Sequence, residues 1–187
     1  MKLARLYHLT EASNLGTIRR DSLLSTRALL DRENPSPELR ARVEGWRPEA
    51  VRLPSGVLIG DQWCQPPHAL ERCLLGGLTP QDWYDRLNRF VYLWPSERAA
   101  LAHANTYRGR DQRLLVFDAE PLLAQNGERA FVTTFNVGYA LRRAKPRDFG
   151  AFTPWRKWSG PLGRIKEVLV DGAVADAADH LIEVRSP

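Results

Sequence analysis

The stretch IKEVLVDG, residues 165–172, carries the reading of this chain. Side chains alternate along a strand, so Ile165, Glu167 and Leu169 share one face while Lys166, Val168 and Val170 share the other. Asp171-Gly172 then marks a turn. A carboxylate flanked by apolar neighbours on its own face sits either at an exposed sheet edge or in a desolvated pocket. The pocket raises its pKa and makes Glu167 a functional candidate; the edge leaves it structural.

Working outward, FVYLW (90–94), RLLVFDA (113–119), RAFVTTFN (129–136) and a closing LIEV read as further strands from their β-branched and aromatic content. LARLYHL (3–9) reads as a first strand, with Thr10 capping a helix that bears Ala12, Leu15 and Ile18 on one face. Ser36 and Pro37 open a helix that Gly45 stops. VRLPSGVLIGD reads as two extended pieces around a Pro-Ser-Gly turn. A helix is expected over 67–75, ended by Gly76-Gly77; Thr79-Pro80-Gln81-Asp82 opens the next, and Ser96 caps ERAALAHANTY. Helices dominate the first half and strands the second. The expectation is an α+β chain forming one domain over 1–187.

The chain has 187 residues, 43% of them hydrophobic, enough to bury a core without staples. Lys and Arg total 27 against 22 Asp and Glu, a net charge of +5. Nearly all the cations are arginine, whose planar fork suits phosphate, although a GC-rich gene produces the same bias. Cys64 and Cys73 are the two cysteines. No metal-ligand spacing, zinc pattern or disulfide framework is expected from them, which favours a reducing compartment. No signal-like apolar segment and no membrane-length run is present, so the expected location is cytoplasmic, with no membrane partner. Neither a Gly-rich phosphate loop after a strand nor a G-x-S-x-G elbow occurs.

Several segments carry candidate chemistry. Tyr7-His8-Leu9-Thr10 lies at a strand-to-helix junction, where His8 and Thr10 either donate to ribose hydroxyls or merely pack and cap. Tyr92 and Trp94 share a strand face with Phe90, suited to a core or to stacking on a flat ring. Residues 148–164, DFGAFTPWRKWSGPLGR, interleave Trp155 and Trp158 with Arg156 and Lys157. That pattern fits base stacking with phosphate contact, and equally a long loop anchored by buried indoles. Asp61, Gln62, Asn136 and Tyr139 are polar groups in apolar surroundings with no assigned role.

In order, these pieces resemble the DarT-like branch of the ADP-ribosyltransferases. YHLTEASNLGTIRRDSLLS is similar to that group's opening, VYLWPSERAALAHA to its central aromatic strand and following helix, and IKEVLVDGAV to its late glutamate-bearing strand. The likeness covers about a third of the chain, at its two ends and middle. It implies a split β-sandwich with a cleft for NAD, Glu167 as the catalytic carboxylate, and His8 and Thr10 on the NAD ribose. It further implies Tyr92 or Trp94 beside the nicotinamide, Arg27 on the NAD phosphates, and Trp155, Arg156, Lys157 and Trp158 on the acceptor. The segment 61–78 has no counterpart in the group, and Arg98 does not align with the group's Pro-Arg pattern.

The implied chemistry is coherent. Cleaving the nicotinamide–ribose bond develops positive charge on the sugar, as in glycoside hydrolysis, and one carboxylate at the ribose stabilises it. The nicotinamide ring is already charged, so no strong general acid is required. The expectation is therefore a transferase of ADP-ribose from NAD to nucleic acid or protein. The alternatives are NAD hydrolysis, with water as acceptor, and a non-catalytic nucleic-acid-binding or interaction module on a degenerate transferase fold.

Overall fold

The computed structural model describes residues 3–107, 109–142 and 144–187. Strand β1 (Arg5–Glu11) runs past His8 and includes Thr10, so the expected helix start shifts. A 3-10 turn at Ala12–Asn14 leads into α1 (Leu15–Asp21), and the Thr10 hydroxyl accepts from Asn14 Nδ2 at 3.2 Å rather than capping. Strand β2 (Leu23–Leu24) precedes α2 (Thr26–Glu33), which Ser25 caps. Helix α3 (Pro37–Glu44) follows with its Ser36 cap, first-turn proline and Gly45 stop as expected. The short hairpin β3 (Val51–Arg52) and β4 (Leu58–Ile59) encloses the Pro-Ser-Gly turn.

Helix α4 (Pro67–Glu71) is shorter than the sequence pattern suggests. Helix α5 (Pro80–Asn88) carries a full capping box, with Thr79 and Asp82 satisfying each other's backbone N–H. After β5 (Phe90–Leu93) comes α6 (Glu97–Thr106), whose N-cap Ser96 makes no side-chain capping bond. Strand β6 (Gln112–Asp118) leads into α7 (Ala119–Asn126), which the strand-rich reading of the second half misses. Asp118 starts α7 by accepting from Glu120 N. The rest comprises β7 (Ala130–Thr133), β8 (Thr153–Pro154), β9 (Glu167–Asp171), β10 (Ala173–Val174), α8 (Ala177–His180) and β11 (Leu181–Arg185). Gly172 makes the turn after β9 at φ +79°, in the left-handed region that suits glycine.

The result is a mixed α+β arrangement. One antiparallel sheet has the order β1-β6-β11, a second β5-β9-β7-β8, and β2-β10 and β3-β4 form small pairs. Alternation sorts the side chains of the second sheet. Val91, Leu93, Ala130, Val132, Val168 and Val170 face a core shared with Leu6, Leu115 and Phe117 of the first sheet and Leu122 of α7. Phe90 and Leu169 on the opposite face pack with Trp83, Tyr84 and Leu87 of α5. A third cluster joins α2, α3 and the β3-β4 hairpin through Leu30, Val43, Val51 and Ile59.

The two large sheets meet at one residue pair. Tyr7 and Trp94 exchange both backbone hydrogen bonds, at 2.9 and 2.8 Å. An antiparallel ladder continued from there would next pair Leu9 with Tyr92. Instead the strands fork, and the Tyr92 carbonyl accepts from the His8 ring at 2.8 Å. That fork positions the candidate site. No helix among the described residues is long and apolar enough to cross a membrane.

Candidate functional site

A cavity of about 980 Å³ opens at the fork, at the upper end of the ~300–1,000 Å³ usual for small-molecule sites. His8, Thr10, Tyr92, Trp94 and Glu167 all line it. Antiparallel register explains their convergence: His8 fills the gap left by the broken ladder, while β9 pairs Glu167 directly with Thr133 of β7.

Glu167 is 5% exposed. Its Oε2 accepts from Thr133 Oγ1 at 3.0 Å and from the Val137 amide at 3.1 Å. Burial pushes its pKa from the ordinary 4.5 up to about 7, against the opposing pull of the Val137 amide, the Thr133 hydroxyl and the Arg147 charge. The Thr133 hydroxyl also lies 2.9 Å from the Phe135 carbonyl. It has one proton, so it serves the carboxylate when Glu167 is ionised and is free to serve Phe135 when Glu167 is protonated. The arrangement holds a carboxyl poised near neutrality on the cavity wall, rather than an exposed edge glutamate.

His8 plays a different part from the one its position suggests. A carbonyl accepts only from an N–H, so Nδ1 carries the proton given to Tyr92. Burial lowers the His8 pKa to about 4, helped by His103 and opposed by that hydrogen bond. The neutral ring therefore has Nε2 unprotonated, an acceptor with no proton of its own to give. Thr10 receives the Asn14 amide, which leaves its own proton for a ligand. The Tyr92 hydroxyl is committed to the Leu87 carbonyl at 3.1 Å, so it is the ring that meets the cavity. Burial, then Glu167, raise the Tyr92 pKa well above its ordinary value.

Trp94 lies tilted against His103 of α6 with ring centroids 4.9 Å apart, and His103 likewise against Tyr107 at 5.2 Å. The Tyr107 hydroxyl donates to Asp61 at 3.1 Å, and Arg110 reaches the other Asp61 oxygen at 2.5 Å. Asp61, Gln62, Asn136 and Tyr139, which the sequence leaves without a role, all line the cavity. So do residues 60–65 as a run, so the start of the 61–78 segment forms a cavity wall.

The remaining candidates lie elsewhere. Arg27 is absent from the lining, where Thr26 and Leu29 of its helix face the cavity, and its charge pairs with Glu44 at 2.9 Å. Trp155 and Trp158 pack against the core between the sheets, and none of Trp155, Arg156, Lys157 and Trp158 lines the cavity. A Cβ on Gly160 would stand 2.6 Å from the Trp158 ring, so this glycine lets the loop fold over the indole. Arg156 makes an exposed pair with Glu128 at 2.7 Å. Packing one side of each indole on the core outweighs displaying the whole ring.

Sequence reasoning misses Arg47, Tyr107, Arg110, Thr133 and Arg147. Spacing along α6 could have found Tyr107, one turn beyond His103. Arg47 is 4% exposed, bonded to the Gly60 and Val43 carbonyls, and burial lowers its pKa to about 10. No local pattern announces an arginine buried this way. Among the described residues no group of His, Cys, Asp or Glu is placed to hold a metal.

A family model described as a family of unknown function, DUF7002, matches residues 4–181. No curated protein matches in sequence. Among solved structures, Thermosipho africanus DarTG in complex with ADP-ribose aligns with 97% of this chain at 13% identity and a TM-score of 0.50. The chain spans only 43% of that structure's length. Thermus sp. 2.9 DarT in complex with NAD+ aligns with 98% of the chain and 82% of its own, at 18% identity and a TM-score of 0.44. The same DarT with ADP-ribosylated ssDNA aligns over 91% and 76%, at 16% identity and a TM-score of 0.39. At these identities the likeness to DarTG concerns the fold.

Proposed function

The chain belongs to the DUF7002 family, and we propose that it is an NAD-dependent ADP-ribosyltransferase, with nucleic acid or protein as acceptor and nicotinamide as the leaving product. One observation carries this reading: a buried glutamate held near neutrality faces the same cavity as a neutral histidine acceptor and an aromatic ring. The resemblance of three segments to the DarT-like group, with its split β-sandwich, and the fold shared with a DarTG seen with ADP-ribose, support it. The whole of 1–187 is read as one such domain.

Each residue has a part that its surroundings permit. His8 Nε2 accepts from a ribose hydroxyl, and Thr10 donates to the same sugar. The Tyr92 ring lies against the nicotinamide, with Trp94 on the neighbouring wall. Ionised Glu167 stabilises the positive charge that grows on the ribose as the C1′–N bond breaks and its electron pair leaves with nicotinamide. The acceptor then bonds to C1′ and gives up its proton. The ring nitrogen is cationic in NAD, so its departure needs no acid.

The test is nicotinamide release from millimolar NAD by the wild type and by Glu167→Gln. The expected loss is about 10²–10³-fold, and wild-type turnover should rise as pH passes through about 7, where Glu167 ionises. Unchanged turnover in a folded Glu167→Gln protein would remove the catalytic assignment. With no turnover and no thermal stabilisation by NAD, the reading that survives is an interaction or nucleic-acid-binding module on a transferase fold.

A further inference from the structure

The segment between β7 and β8 buries a charge that the proposed chemistry leaves unused. Arg147 is 3% exposed. Its backbone is pinned to the chain just after α4, donating to Cys73 O at 2.8 Å and accepting from Leu75 N at 2.9 Å. Its guanidinium turns back and donates to three carbonyls: Val137 at 3.1 Å, Tyr139 at 3.0 Å and Lys145 at 3.0 Å. It also lies over the Phe135 and Trp83 rings. Taking a cation out of water is costly, and this one is met by three carbonyls and two ring faces rather than by a hydrogen-bonded carboxylate.

That cost coincides with the placement of one residue. The Val137 side chain is fully buried, its carbonyl is held by Arg147 and by Trp83 Nε1 at 3.4 Å, and its amide points at Glu167 Oε2. Phe135, Asn136, Gly138, Tyr139 and Lys145 of the same segment line the cavity. We propose that Arg147 is a positioning residue for Glu167: by holding the Val137, Tyr139 and Lys145 carbonyls it keeps the Val137 amide on the carboxylate, and it adds its own charge behind that amide. The proposal rests on the reading of Glu167 as the carboxylate that acts on NAD. The groups that act on Glu167 from neighbouring elements are Thr133 on β7, Tyr92 on β5, and Val137 and Arg147 on this segment, with His8, Lys145 and Lys166 on the same cavity.

The experiment is a ¹³C NMR titration of the glutamate carboxyls in the NAD-free protein, with Glu167 assigned from Glu167→Gln. Wild type, Arg147→Lys and Arg147→Met are compared, alongside the pH profile of nicotinamide release. Losing both fork and charge in Arg147→Met should raise the Glu167 midpoint by about one pH unit, tenfold in its ionisation constant. Arg147→Lys, which keeps the charge and loses the fork, should fall between. The pH at which turnover begins should rise in parallel. A lowered Tm with the Glu167 midpoint unmoved in both variants would overturn the proposal. Should Arg147→Met not fold, Arg147→Lys decides alone: a raised midpoint supports positioning, and an unmoved one overturns it. The titration needs no NAD, so a raised midpoint without turnover in any variant sustains Arg147 while defeating the transferase reading.

Discussion

On one face of the β5-β9-β7 sheet, Val91, Leu93, Ala130, Val132, Val168 and Val170 lie among aliphatic side chains of the first sheet and α7. On the other face of the same strands, Thr133 and Glu167 place polar groups beside a mixed aromatic and aliphatic cluster, and Tyr92 and Glu167 border a large cavity. Both faces are buried, yet the burial has opposite consequences. Apolar area removed from water stabilises the chain by roughly 25 cal/mol per Å². A carboxyl removed from water either keeps its proton or destabilises the fold. One face holds the sheet together; the other accepts a loss of stability for a carboxyl of adjusted acidity.

The largest expected effect breaks the first face. Leu93→Ala should cost about 2–5 kcal/mol in denaturant unfolding, because a fully buried leucine leaves a cavity. A cost well below that range would mean that the two sheets repack freely across their shared core.

The second face should respond in the opposite direction. Glu167 has a folded pKa of about 7 against an ordinary 4.5, so the folded wild type binds more protons and loses stability as pH rises between those values. Glutamine keeps an acceptor for Val137 and Thr133 without the charge. Glu167→Gln should therefore be more stable than wild type by up to about 3 kcal/mol at pH 8, an advantage that shrinks towards zero as pH falls to 4.5. Equal stability of the two proteins at pH 8 would show that Glu167 is not desolvated.

His8→Ala tests the fork between the sheets. It removes the ligand acceptor together with the bond to the Tyr92 carbonyl. NAD-induced thermal stabilisation should weaken by an amount equivalent to about 1–2 kcal/mol of binding. An undiminished shift would place the ribose away from β1. The smallest effect is expected at Arg156→Ala, whose pair with Glu128 is exposed on both sides. Stability should change by less than about 0.5 kcal/mol, with NAD stabilisation untouched. A loss of NAD stabilisation there would bring the 148–164 loop back to the site.

Much of the framework is legible in the amino-acid sequence, because its causes are local. The Ser36-Pro37-Gly45 helix, the Thr79–Asp82 capping box, the turn at Gly172 and the two-residue alternation along β9 depend on neighbours a few positions away. Helix α7 is not, because AEPLLAQN follows a strong strand and holds a proline, which is tolerated only because it stands in the first turn. Tertiary context also moves the end of β1, since pairing with β6 extends to Glu11 and draws Thr10 into the strand.

The candidate site divides along the same line. The sequence alone determined which residue types were on offer and which face of β9 Glu167 occupies. Only the tertiary structure decided that this face borders a cavity, that His8 spends its Nδ1 proton on the Tyr92 carbonyl, and that Asp61 meets Tyr107 and Arg110. It also decided between two segments of similar composition, packing the half-buried Trp155 and Trp158 against the core while leaving Tyr92 and Trp94 on the cavity. The physical reason is that desolvation, tautomer and pairing of charge depend on what lies across space. Arg147 and Val137 are ten residues apart in the chain, and Glu167 is thirty beyond Val137, yet a few ångströms of packing join all three.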